Sequence, residues 1–253
     1  MARKYELITE LYHQTLGEIT SSQGAWRAFL RSACCNYKCR FDEQVLIYVQ
    51  RPDAKAVLEL EDWNKKLGRW VNRGATGIAV FDDIHTGRSR LKHYFDISDT
   101  HAGRFSRPVP IWEMQERYED EVIEALEGSF GEVQNNGALD STILEIVSNV
   151  VEDNYQDYFR ELMYCRENSF LEELDEFNVE VYFRQALEVS VSYMLLERCL
   201  GGAADQYAQL VDFSPILNFD TRETVNALGI ATSDIAEMVL KEIALTVRNI
   251  QKR

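Results

Sequence analysis

Proline is scarce: four in 253 residues, and none between 111 and 214. Without proline, helices of several turns can run unbroken there. No apolar run approaches the roughly 20 residues a membrane span needs. Met1-Ala-Arg-Lys-Tyr-Glu6 lacks the apolar stretch of a signal peptide. Catalytic signatures are missing as well. There is no H-E-x-x-H helix, no G-x-S-x-G elbow, no C-x-x-C pair and no G-K-[ST] phosphate loop. The five cysteines are an odd count and read as reduced thiols of a cytoplasmic protein. Cys34-Cys35-x-x-x-Cys39 falls short of the two close pairs of a structural zinc site, so it reads as thiols at a helix end. Neither a metal nor a cofactor is expected.

Positive charge is the other deficit. Lys and Arg number 27 against 42 Asp and Glu, a net of -15. The chain as a whole is therefore no simple basic nucleic-acid binder. The deficit is uneven. Residues 1–110 carry a net of +4 and residues 111–253 a net of -19. Two parts with different surfaces are expected, one able to meet phosphate and one that repels it.

Periodicity changes at the same place. Tyr5, Ile8, Tyr12 and Leu16 have helical spacing, as do Trp26, Phe29, Leu30 and Ala33 after the cap candidates Thr20, Ser21 and Ser22. A third helix is expected from Asp42 to Val49, ending before Pro52. Gly77 to Phe81 and Arg90 to Ile97 then read as strands of a hairpin, the second with Leu91, His93, Phe95 and Ile97 on its apolar face. Asp82 to Ser89 would be its loop, and Trp70-Val71 a third strand. Beyond Pro110 the pattern predicts helices from Trp112 to Leu126, Leu139 to Val151 and Val179 to Leu200. Ser169-x-x-Glu172 has the form of a capping box. A short helix is expected from Asp220 to Gly229, and a last one from Ser233 or Asp234. The expected fold class is α+β. A small antiparallel sheet with helices forms domain 1–110, and an all-helical acidic domain covers 111–253.

Chemistry concentrates in one stretch. Lys65, Lys66, Arg69, Arg73, Arg88, Arg90 and Lys92 interleave with Trp63, Trp70, Asn72 and Tyr94. Cations meet the sugar-phosphate backbone and aromatic faces stack on unpaired bases, which is the chemistry of single-strand binding. The candidate nucleic-acid contacts are Lys65, Lys66, Arg69, Trp70, Asn72, Arg73, Arg88, Arg90 and Lys92. The same tryptophans also suit a core. Gly68, Gly74 and Gly77 lack the spacing of a dinucleotide fingerprint and read as turn glycines. Asp96 and Asp99 read as turn-forming carboxylates at a strand end. His93 reads as a packed core histidine; a hydrolase using His85 or His93 has no motif behind it. Two acidic clusters, from Glu116 to Glu127 and from Glu167 to Glu180, fit a solvated helix face or an imitation of a phosphate backbone.

Several segments carry a resemblance. They are Trp26-x-x-Phe29-Leu30, Phe41 to Asp53, Trp63 to Val80, Tyr94 to Thr100, and Arg107 to Trp112 through to Thr232-Ser-Asp-Ile-Ala-Glu237. Together they resemble the opening region of very large proteins of Firmicutes conjugative elements, which continue into helicase or DNA methyltransferase domains. More distantly, residues 20–100 are similar in layout to the N-terminal domain of ArdC-type antirestriction proteins, which binds single-stranded DNA without sequence preference. The metalloprotease half of those proteins does not carry over, because H-E-x-x-H is missing. The resemblance implies a non-enzymatic mobile-element protein of antirestriction or anti-CRISPR type. Its expected partners are single-stranded DNA and a restriction or CRISPR nuclease, with no membrane. The alternative it implies is a DNA-positioning or assembly module of a helicase or methyltransferase.

Overall fold

Nine helices and five short strands make up the described residues, 2–82, 90–134 and 137–253, of a computed structural model. Helix α1 (Ala2–Ile19) turns at Thr20–Ser21 into α2 (Gln23–Ala33), where the Ser22 side chain accepts a hydrogen bond from Ala25 N–H. Helix α3 (Phe41–Gln50) ends just before Pro52, as the sequence predicts. Strands β1 (Val57–Glu59), β3 (Ile78–Phe81) and β4 (Leu91–Asp96) form an antiparallel sheet in the order β1-β4-β3. The hairpin expected from 77 to 97 is therefore present. Residues 83–89 of its loop, with His85 and Arg88, lie outside the described residues. The fold is α+β, with a small antiparallel sheet among helices.

Several expectations are corrected. Trp70-Val71 does form a strand, β2 (Arg69–Val71), but it does not join the hairpin's sheet. It pairs with β5 (Thr100–Ala102) as a separate two-stranded ribbon, and β1 supplies the third strand instead. The faces of β4 are also not divided as the alternation suggests. Lys92 and Tyr94 reach Glu43 on α3, at 2.8 and 2.9 Å, and Asp96 is buried. A buried carboxylate on α3 thus turns the polar face inward. Burial opposes the Lys92 charge, yet bonds to Glu43 and Tyr94 hold its pKa above the usual lysine range. His93 is only half-buried, with Nε2 2.9 Å from Lys4 Nζ, so it is not a core histidine.

The helical half differs in its boundaries. Residues 112–115 are not helical; after a 3-10 turn at Glu116–Tyr118, helix α5 runs over Glu119–Phe130. Trp112 is buried instead, with its ring over the Arg198 guanidinium and its N–H on the Tyr37 hydroxyl at 3.2 Å. Helix α6 (Leu139–Cys165) continues past Val151, because Tyr155, Phe159 and Leu162 extend the apolar stripe. The capping box at Ser169 does not form. That hydroxyl donates to Arg166 O, and Asp175 caps α7 (Glu176–Leu200) instead. After α8 (Ala203–Leu210), the two final helices are one, α9 (Arg222–Ile250), capped by Thr221. Gly229 sits inside it, where an added Cβ would overlap the Phe41 ring. The glycine that looks like a helix stop is a seat for an aromatic side chain.

Helices α6, α7 and α9 pack on one another, and the N-terminal helices pack on them. One buried cluster runs from Tyr12 and Trp26 to Ile243 and Val247. Polar bonds lock this contact. Trp26 Nε1 donates to Ser190 Oγ at 2.8 Å, and Ser233 Oγ donates to Gln44 Oε1 at 2.8 Å. Both lie where an unpaired polar group would cost about 1–3 kcal/mol.

Candidate nucleic-acid interface

The ribbon stands at the end of α4 (Leu60–Leu67). That helix stops at Gly68, which has φ +62° and donates its N–H to Asn64 O and Trp63 O. A Cβ at Gly68 would meet Phe105 O at 2.9 Å, so a glycine is required both by the dihedral and by the close return of the chain. Strands β2 and β5 then pair in register Arg69 with Ala102, Trp70 with His101 and Val71 with Thr100. Side chains opposite each other on an antiparallel pair share a face. Trp70 and His101 therefore lie together on the outer face, and Arg69 faces inward.

Burial agrees with this split. Trp63 is fully buried and donates its indole N–H to Phe95 O at 2.8 Å. The Trp70 side chain is 55% exposed. Its indole lies across Gly103, where a Cβ would meet Nε1 at 2.9 Å. Asn72 Oδ1 is 2.7 Å from His101 Nδ1, which ties the strand ends together. Beyond β5 a turn closed by Ser106 N–H on Gly103 O presents Phe105, 85% exposed, with the Arg104 guanidinium 5.5 Å from its ring centre. Arg107 N–H returns to Leu67 O at 2.8 Å. Neither 63–81 nor 100–112 contains an Asp or Glu.

The predicted contacts divide accordingly. Trp70, Asn72 and Arg73 are exposed on the ribbon. Lys65 and Lys66 are exposed on the last turn of α4, each paired one turn back, with Glu61 at 2.6 Å and Asp62 at 2.8 Å. Such surface pairs are weak enough for a phosphate to replace. Arg69 is engaged internally, with Nε donating to Thr100 Oγ1 at 2.8 Å and its guanidinium over Trp63. Arg90 is exposed at the start of β4, in the other sheet, and Lys92 is held by Glu43 beside α3. Arg88 lies outside the described residues. The structure adds His101, Arg104, Phe105 and Arg107, which the sequence reading missed. Their signal was legible: the same alternation of cation and aromatic recurs in His101-Ala-Gly-Arg-Phe-Ser-Arg107.

Other candidate groups have local roles. Asp96 accepts bonds from Lys55 N–H, Ala56 N–H and Ser98 N–H, the turn role expected of it, and Asp99 pairs with Arg51 at 3.2 Å. Among the described residues, no three His, Cys, Asp or Glu side chains are grouped to hold a metal. Among the described residues, no helix is long and apolar enough to cross a membrane. In the helical half, the exposed Tyr164 and Phe177 flank Glu167, Glu172, Glu173 and Glu176, all exposed. No family model, curated protein or solved structure matches the chain.

Proposed function

We propose that the chain is a non-enzymatic binding protein that holds single-stranded DNA on the outer face of the β2–β5 ribbon. One observation carries this reading. Trp70, His101 and Phe105 are exposed on segments 69–81 and 100–107, which carry the exposed Arg73, Arg104 and Arg107 and no carboxylate, with Lys65 on the adjoining α4 paired to Glu61. Exposed rings offer every base a stacking surface, and the cations follow the backbone. In the role the resemblance implies, such a protein would protect the entering DNA of a mobile element in the host cytoplasm, by antirestriction or anti-CRISPR action.

A titration with a labelled oligonucleotide at 50 and 200 mM salt tests it. Four phosphate contacts on a single strand give a slope of about -3 in log affinity against log salt, or about 50-fold between those salts. Trp70→Ala is expected to weaken binding about 5- to 150-fold at an unchanged slope, since stacking is worth about 1–3 kcal/mol per base. No binding at 50 mM would overturn the reading.

Exposed residues between 164 and 177 support a protein partner. Large exposed aromatics among carboxylates, as at Tyr164, Phe177 and their acidic neighbours, suit a basic surface such as that of a DNA-handling nuclease. Inhibition of a restriction or CRISPR nuclease, lost on Phe177→Ala, would support that arm. Co-purification with a helicase or methyltransferase, with no effect on nucleases, would favour the assembly-module alternative.

A further inference from the structure

A cleft of about 290 Å³ opens beside α4. Its apolar lining comes from Tyr37, Val57, Leu58, Trp63, Ile111 and Trp112, with both tryptophans and Tyr37 buried. Four cations also line it: Lys38, Lys55, Lys66 and Arg198. No Asp or Glu does. Lys66 has Asp62, and Arg198 is spent on Trp112 through its ring and its carbonyl. Lys38 and Lys55 are exposed and pair with no carboxylate among the described residues. The acids nearest in effect are engaged elsewhere, Glu237 with Lys241 and Glu197 with Arg31.

We propose that this cleft binds a small amphipathic anion, its apolar body against Val57, Leu58 and Ile111 and its carboxylate or phosphate head at Lys38 and Lys55. Three features carry the inference. The lining is mostly apolar, so a body with few hydrogen-bonding groups loses little on entering. The volume holds about ten non-hydrogen atoms, at roughly 30 Å³ for each water-sized unit. The rim holds positive charge that the protein does not neutralise. Lys38 also stands near cations outside the lining. Burial, then the neighbouring Arg248 and Lys241, push its pKa below the usual lysine range against Glu237, and an arriving anion would offset the repulsion from the two cations. Cys35 lies in the same lining. The adjacent Cys34 thiol, with Arg198 and Lys55, holds the Cys35 thiol below the usual cysteine range against burial and Glu197. This proposal does not depend on the DNA reading.

Cys35 also provides the assay. It lines the cleft and is the exposed cysteine, whereas Cys34 and Cys199 are buried. Alkylation of the Cys35 peptide by iodoacetamide would be followed by mass spectrometry on the full chain at pH 7. Octanoate, with ten non-hydrogen atoms, is expected to slow that reaction at concentrations about tenfold below those at which 1-octanol does. Lys38→Gln and Lys55→Gln should each weaken octanoate protection about tenfold, the scale of one charge-assisted bond, and leave octanol unchanged. Acetate should give no protection, because the apolar body is missing. Equal protection by octanoate and octanol would overturn the anion preference. Absence of protection by octanoate at millimolar concentration would overturn the site. Stronger protection by thymidine monophosphate than by octanoate would overturn the apolar-body assignment and give the cleft to the DNA strand.

Discussion

Replacing Gly229 by alanine tests how the two halves of the chain are joined. In an exposed helix interior that change stabilises by about 1 kcal/mol. Here it should do the opposite. An alanine methyl at 229 would lie 2.5 Å from even the third-nearest carbon of the Phe41 ring, against roughly 3.5–4.0 Å for carbons in contact. The ring has little room to retreat, because Phe29 sits edge-on to it at 5.7 Å and Phe41 is buried. Overpacking of this kind costs about 1–3 kcal/mol or more. The net expectation is a loss of about 1–2 kcal/mol, or a fall in Tm of roughly 2–8 °C for a chain of this size. Urea denaturation followed by circular dichroism reads the loss directly. The companion variant Phe41→Leu removes the ring edge. In that background Gly229→Ala should be neutral or stabilising, a coupling of about 1–3 kcal/mol between the two positions. A higher urea midpoint for Gly229→Ala in the natural background, or the same effect in both backgrounds, would refute the argument.

Other perturbations separate binding from folding. Arg73→Ala and Arg104→Ala should each flatten the salt dependence of DNA binding by about 0.7 of a log unit per log unit of salt, measured by fluorescence anisotropy, with the urea midpoint unchanged. Arg69→Ala should instead lower the urea midpoint, because Arg69 spans Trp63 and Thr100 on the inner face of the ribbon. Asp96→Asn should destabilise at pH 7 by about 1–3 kcal/mol. Burial alone would raise the Asp96 pKa, but bonds from Ser98, Ala56 and Lys55 hold it below the usual carboxylate range. Its contribution is thus full above the unfolded pKa and fades as pH falls through the folded one. The difference in urea midpoint between the natural chain and Asp96→Asn should therefore shrink under acid titration; a constant difference would contradict this.

Local pattern carried a large part of the fold. The three N-terminal helices, the proline that ends α3, the 77–97 hairpin and the α+β class were all legible from spacing and turn chemistry. So was Asp96 as a turn carboxylate. What failed had a common cause. Sequence periodicity reports which residues can share a face but not what that face meets. Lys92 and Tyr94 look outward until a buried Glu43 on α3 is placed beside them. Arg69 and Trp70 look alike as contacts until cross-strand register with β5 sends one inward and the other out.

The sequence by itself determined the uneven charge, the run of long helices after Pro110 and the absence of known catalytic motifs, because each depends only on residue identity and short spacing. Tertiary structure alone decided that Gly229 is a packing seat and that Trp63 is core while Trp70 is surface. It also decided that residues 100–107 complete the ribbon begun at 69, and that Lys38, Lys55 and Arg198 surround one apolar cleft. These are contacts between segments far apart in the chain, and no local spacing encodes them.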